Sequence, residues 1–314
     1  MRFLASLKRL LYKSGYHITR VVNYENEINH YKEIASRRLN QPSLYNKTDA
    51  IVFSKDRAMQ LHAFLVSYNK FVKSDGKLFV LFTFSSGEHE KSYEELQRLI
   101  NNDHIIFIKE NNFSTQLKEV ISASNAQKIV FYVDDIIFKE YVDYEELKEY
   151  DPLNHIITLG RGQDLTYSVV LNRSQMVPEF SHRRGDWYTF NWDLSARQSD
   201  WSFPLGVGAY FYDRNELLVI LPELNYKSPN SLEIAMQYYR DYFIRRPGIC
   251  KKNVVCVPIQ ANVVQNDQHS LVVNEWTVEK LLLKWNQGMM IDISAFEGKS
   301  ADKAQIMTYT FVER

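Results

Sequence analysis

Cysteine is nearly absent: Cys250 and Cys256 are the two in 314 residues, and they do not form a Cys-x-x-Cys pair. That excludes a disulfide framework and a cysteine-built zinc site, and it fits a reducing cytoplasm. In that compartment the sequon Asn112-Phe113-Ser114 is not a glycosylation acceptor. Net charge is also lacking, with 38 Lys+Arg against 38 Asp+Glu. No overall field therefore favours nucleic acid, and none is expected as a partner. Apolar runs fall far short of the roughly 20 residues that a spanning helix requires, and the N-terminus carries no apolar stretch ending in a small-residue cleavage site. Internal repeats and low-complexity linkers are missing too. What is present is a 45% hydrophobic composition, enough to fill the core of one large α/β domain or two small ones.

The first twenty residues stand apart. Arg2, Lys8, Arg9, Lys13 and Arg20 meet no acid, while Phe3, Leu4, Leu7, Leu10 and Leu11 recur at helical spacing. Such a basic amphipathic helix suits either an anionic membrane surface or a docking face on the domain or another protomer. Residues 1–48 are expected to form a helical extension and residues 49–314 the main domain, located in the cytoplasm or peripherally on the inner face of the membrane.

From residue 49 short β-branched and aromatic runs alternate with helical stretches, the pattern of a parallel sheet with crossover helices. Strands are expected at Asp49–Ser54, Lys77–Phe84, His104–Ile108 and Lys128–Val133. Helices are expected at Arg57–Phe71 and His89–Asn101, and from an N-cap at Ser114 to about Ser122. Beyond residue 150 the pattern is less regular, with strands near His155–Leu159 and Val254–Val257 and helices near Ser231–Phe243 and Thr277–Trp285. In a sheet of this kind ligands bind beyond the carboxyl ends of the strands, and Asp134-Asp135 follows the fourth one directly. Adjacent carboxylates repel unless a cation or donors compensate, so Mg²⁺ or Mn²⁺ is a natural partner, while a capped turn is the simpler alternative.

The run Phe131-Tyr132-Val133-Asp134-Asp135-Ile136-Ile137-Phe138 resembles the DxD-type metal motif of GT-A glycosyltransferases, in the form whose last two positions are acids. Ile51-Val52-Phe53-Ser54-Lys55-Asp56-Arg57 with Gln60-Leu61 is similar to the first strand and nucleotide loop of those enzymes. Pro204-Leu205-Gly206-Val207-Gly208-Ala209-Tyr210-Phe211, followed by Ser228-Pro229-Asn230-Ser231-Leu232-Glu233, resembles their glycine loop and acid-bearing helix start. The resemblance spans about residues 49 to 270. It implies an α/β, Rossmann-like, mostly parallel sheet flanked by helices, with a nucleotide-binding half at 49–150 and an acceptor-binding half at 151–314. Two departures stand out: Asn230-Ser231 replaces the usual Glu-Asp, and Val133-Asp134-Asp135 replaces a plain Asp-x-Asp, which favours Asp135 as the direct ligand.

The resemblance further implies donor contacts from Phe53, Ser54, Lys55, Arg57, Phe84, Asp134 and Arg161. Metal contacts would come from Asp134, Asp135 and a C-terminal histidine, here His269, whose alternative is a solvated loop position. Arginine pairs well with phosphate oxygens, so Arg183 and Arg184 are eligible beside Arg57 and Arg161, although each could be an ordinary surface residue. Gly160 and Gly162 fit either close backbone approach to a ligand or a plain turn. Glu233 is the candidate catalytic base; its alternative is a capping box with Asn230. Asp186 is the second candidate, with Asp193 and Asp200 in reserve. Trp187, Trp192 and Trp201, interleaved with acids and Arg197, suit either a sugar platform or the core.

These residues lead to the expectation of a metal-dependent glycosyltransferase that moves a sugar from a nucleotide-diphosphate donor, UDP-sugar favoured, to a glycan or lipid-linked hydroxyl acceptor in surface polysaccharide or glycolipid assembly. The rival readings are a catalytically silent module of the same fold that binds a glycan or partner, and a nucleotidyltransferase. The latter usually has a glycine-rich phosphate loop after the first strand, and Ser54-Lys55-Asp56-Arg57 contains no glycine.

Overall fold

The structure is a computed structural model that describes residues 11, 21–40, 45–194, 199–259, 276–305 and 310–314. Helix α1 (Val21–Asn40) precedes β1 (Tyr45–Lys55), α2 (Ala58–Phe71), β2 (Leu78–Thr83), α3 (Gly87–Leu99), β3 (Ile105–Lys109), α4 (Phe113–Ala123) and β4 (Ala126–Val133). Ala50, Ile51 and Val52 of β1 and Ile129, Val130 and Phe131 of β4 are fully buried. Their unbroken apolar runs follow from parallel strands covered on both faces. Helix α2 is buried nearly all round, because it packs against Ile136–Phe138, α3 and the helix Val278–Asn286. The expected cap at Ser114 is displaced: Asn112 Oδ1 accepts the Thr115 N–H at 2.9 Å, and the helix opens at Phe113.

The chain continues through β5 (Ile156–Thr158), β6 (Phe180–His182), β7 (Trp187–Phe190), β8 (Tyr210–Asp213), α5 (Arg214–Ile220), α6 (Pro229–Met236), α7 (Arg240–Phe243), β9 (Gly248–Lys251) and α8 (Val278–Asn286). The single helix expected over Ser231–Phe243 is two, α6 and α7, with a 3₁₀ turn at Gln237–Tyr239 between them. The strand expected near Val254–Val257 is Cys256–Pro258, paired antiparallel with Ile136–Phe138 just after the aspartates.

Among the described residues nine strands form the central sheet, in the order β6-β7-β9-β5-β8-β4-β1-β2-β3. Strands β1 to β4 are mutually parallel, β8 is antiparallel to both β4 and β5, β5 and β9 are parallel, and β7 is antiparallel to β9 and β6. All strands but β7 and β8 therefore share one direction, in agreement with the mostly parallel sheet expected. Because β8 runs the other way, the loop that enters it lies at the same edge as the carboxyl ends of β1, β2, β4 and β5.

Helix α1 is bound to the domain. Arg38 donates to Asp151 Oδ2 and Oδ1 at 3.1 and 3.0 Å and to Asp213 Oδ2 at 2.6 Å. Arg245 bonds Glu27, and His30 and Tyr31 lie against Tyr239 and Tyr242, with ring centroids 5.4 and 5.3 Å apart. Apart from Leu11, the basic segment 1–20 lies outside the described residues. No described helix is long and apolar enough to cross a membrane.

Candidate active site

At the carboxyl edge β1 ends in Ser54-Lys55 and turns sharply. Asp56 adopts a left-handed backbone, φ 56°, which aspartate tolerates better than most residues, and its Oδ1 accepts the Ser85 N–H at 2.7 Å. The turn after β1 is thereby tied to the segment after β2, which carries Phe84. Arg57 follows, and its backbone N–H donates to Tyr93 Oη at 3.1 Å. The same hydroxyl lies 2.6 Å from Ser54 Oγ.

The aspartate pair meets this turn from β4, where the Asp134 N–H donates to the Phe53 carbonyl at 3.1 Å. The two acids occupy different surroundings. Asp134 accepts from Ser54 Oγ at 2.8 Å on Oδ2 and from Arg57 Nη1 at 3.0 Å on Oδ1. Asp135 receives the same Arg57 Nη1 at 3.0 Å on Oδ2. The Asp134 side chain is 5% exposed and that of Asp135 22%. Burial pushes the Asp134 carboxyl up to about 6; the Arg57 guanidinium opposes that rise and the neighbouring Asp135 adds to it.

Asp135 suits a metal better than Asp134 does. Both Asp134 oxygens are engaged inside the protein, whereas Asp135 stays reachable, and Mg²⁺ and Mn²⁺ are commonly held by one or two carboxylates completed by water and substrate phosphates. Among the described residues no group of three potential ligands surrounds the pair. His269 lies outside the described residues.

The loop into β8 brings the third part. A β-carbon on Gly208 would stand 3.7 Å from Ile136 Cδ1, next to Asp135, and one on Gly206 would stand 2.9 Å from Glu233 Oε1. Ala209 holds φ at 64° while its N–H donates to the Phe131 carbonyl at 2.7 Å. Glu233 Oε1 accepts the Val207 N–H at 3.2 Å. The capping box that was the alternative for Glu233, with Asn230, belongs instead to Ser228 and Ser231, because the helix starts at Pro229 and Ser228, two residues before Asn230, is its cap. That leaves the glutamate turned to the glycine loop. Burial raises the Glu233 carboxyl, with the Val207 N–H and Arg161 opposing.

Arg161, after β5, donates to the Gly160 and Asp200 carbonyls, both at 3.0 Å, with its guanidinium 5.7 Å from the Tyr210 ring centroid. Strand β5 is two positions from β4, about 10 Å across the sheet. Gly162 makes its close approach to the chain itself: a β-carbon there would lie 2.3 Å from the Val254 nitrogen. Lys55 is exposed, and the Phe84 ring lies 4.2 Å from Lys109 Nζ.

Several candidates stand elsewhere. Asp186 is exposed at the start of β7, four strand positions from β4 and so about 19 Å away. Trp187, Trp192 and Trp201 are all buried; Phe190 lies 4.8 Å from Trp192 and 5.1 Å from Trp201, centroid to centroid. The sugar platform is therefore corrected to core, since three indoles with aromatic neighbours bury more apolar area than a surface site would expose. Arg184 pairs with Glu149 at the exposed far end, and Arg197 lies outside the described residues. Sequence reading did not identify Tyr93, which braces Ser54 and the Arg57 backbone together; nothing local in the sequence marks it, since it sits mid-helix in α3.

No family model matches the chain. It is 28% identical over 188 residues, 53% of its own length, to a protein from Dictyostelium discoideum described as "Bifunctional glycosyltransferase pgtA". The match takes in 24% of that protein, so the chain spans about a quarter of the length of the curated relative. Solved structures with some likeness include a nucleotidyl transferase from Methanothermobacter (TM-score 0.39, 13% identity, 77% of this chain and 98% of that one). S. aureus TarS scores 0.39 at 11% identity, over 65% of this chain and 35% of that one. GalNAc-T7, solved with UDP, GalNAc and Mn²⁺, scores 0.41 at 10% identity, over 66% and 42%. At such scores the structural likeness carries no further conclusion. The sequence likeness to a glycosyltransferase agrees with the motifs.

Proposed function

We propose that this protein transfers a sugar from a nucleotide-diphosphate donor, UDP-sugar favoured, to a hydroxyl of a glycan or lipid-linked acceptor, with Mn²⁺ or Mg²⁺. The observation that carries this reading is the aspartate pair at the carboxyl edge, one acid anchored and the other reachable, clamped by an arginine of the β1 turn. The curated relative's description adds support. In this reading Phe53 to Arg57 and the Phe84 segment receive the nucleotide, and Asp135 holds the metal, which when bound would neutralise the leaving diphosphate as a Lewis acid. Asp134, fixed by Ser54, positions Arg57. Glu233, raised by its burial, takes the acceptor proton; a carboxyl moved toward neutral pH is better suited to that transfer. Arg161 lies near enough to Glu233 to stabilise its charged form.

A thermal-shift panel of UDP-, GDP-, CMP- and dTDP-sugars with and without Mn²⁺ tests the reading. A ligand that binds only the folded state at a hundred times its Kd adds about 2.7 kcal/mol of stability. Stabilisation by a UDP-sugar with Mn²⁺, lost in Asp135→Asn, is expected. A panel in which no nucleotide sugar raises the Tm at any Mn²⁺ concentration removes the enzymatic reading.

A further inference from the structure

One nitrogen, Arg57 Nη1, stands 3.0 Å from Asp134 Oδ1 and 3.0 Å from Asp135 Oδ2. A cation thus already lies against Asp135, the carboxylate that the proposed metal would use, and Asp135 Oδ2 cannot give its full charge to a metal while the guanidinium holds it. The anchoring is unequal. Asp134 is also fixed by Ser54 Oγ at 2.8 Å and is buried, whereas the Asp135 side chain is partly open. The backbone of Arg57 is held by Tyr93, so a change in its partners falls on the side chain. Guanidinium pairs at least as well with a diphosphate as with a carboxylate, because its fork matches two phosphate oxygens.

Resting on the metal-dependent reading above, we propose that Arg57 is a resident counter-cation that occupies Asp135 until a nucleoside diphosphate draws the guanidinium onto its phosphate oxygens. Asp135 is then released to the metal. Donor and metal bind cooperatively for that reason, and the metal alone binds weakly. Such coupling is reciprocal: whatever the diphosphate adds to metal affinity, the metal adds to diphosphate affinity. Arg57 is a positioning residue for the metal carboxylate as well as a phosphate ligand.

The test is direct binding of Mn²⁺ to the full chain without donor, by electron paramagnetic resonance of the free ion. Wild type, Arg57→Gln, Arg57→Lys and the double variant Arg57→Gln/Asp135→Asn are compared. Arg57→Gln should bind Mn²⁺ about tenfold or more tightly than wild type, and adding Asp135→Asn should abolish the gain. Arg57→Lys should fall between them, since a single ammonium serves one carboxylate at a time; it carries the test if Arg57→Gln fails to fold. In EDTA, UDP should bind Arg57→Gln about tenfold more weakly than wild type. Equal Mn²⁺ affinity in wild type and both Arg57 variants overturns the inference and leaves the metal reading standing. Absence of Mn²⁺ binding in every variant, with saturating UDP as well as without it, removes both.

Discussion

The Glu233 carboxylate and the Val207 backbone N–H meet at 3.2 Å, so the second turn of α6 and the loop that enters β8 are fixed to each other by the acid proposed as the base. Glu233→Gln keeps the acceptor oxygen for that bond but cannot take a proton at neutral pH. Turnover should fall by about 10² or more with donor affinity unchanged. Near-normal turnover in a steady-state assay would leave Glu233 as a loop fastener.

Gly206 is the complementary lever. Its φ is unremarkable, but a β-carbon there would stand 2.9 Å from Glu233 Oε1 and 2.9 Å from Tyr210 Cε2. Gly206→Ala should push the glutamate off the loop, costing about 1–3 kcal/mol of stability through overpacking. Turnover should fall more than that stability loss explains. Thermal denaturation beside kcat separates the two effects, and an unchanged kcat would detach the loop from catalysis.

Helix α1 docks through Arg38, whose partner Asp213 has no exposed side-chain surface. Deleting residues 1–20 should leave the melting temperature unchanged. Deleting 1–40, or making Arg38→Ala, strands a buried carboxylate and should cost about 2 kcal/mol, reduced from the fully buried case because Arg38 is partly solvated. If the 1–20 deletion alone sediments with anionic vesicles as well as the full chain does, the basic segment is not a membrane anchor.

Stability should depend on pH through His62. It is buried against Trp285, ring centroids 5.6 Å apart, and burial first, then the Arg314 charge, lowers its pKa from 6.5 to about 4. The folded state therefore holds the neutral ring. The full contribution is present above about pH 6.5 and is lost as pH falls toward 4, where the unfolded chain binds the proton more readily. The swing is about 3 kcal/mol. His62→Phe should flatten the wild-type melting curve across that window; parallel curves for the two proteins would show that His62 does not titrate differently on folding.

The alternation of strands and helices was legible because a strand covered on both faces has to be apolar throughout, as Ile51-Val52-Phe53 and Ile129-Val130-Phe131 are. The aspartates after Val133 followed from the same run ending. Helix ends were less legible at Ser114 and Asn230, where the caps are Asn112 and Ser228, each two residues earlier. The tryptophans show the limit most clearly: an indole beside charged neighbours in sequence has the same letters whether its face meets a sugar or Phe190.

By itself the sequence determined the class of sheet, the edge at which the candidate site lies and the short list of candidate acids and arginines, because these depend on local patterning and on where a strand stops. Only the tertiary structure decided which aspartate is anchored and which is reachable, that Arg57 bridges both, that Tyr93 braces the turn and that Glu233 faces the glycine loop. Each of those facts is a side-chain contact between residues 26 to 80 positions apart. The direction a side chain takes across such a gap is set by the packing of the strands and helices that carry it, and no local pattern encodes it.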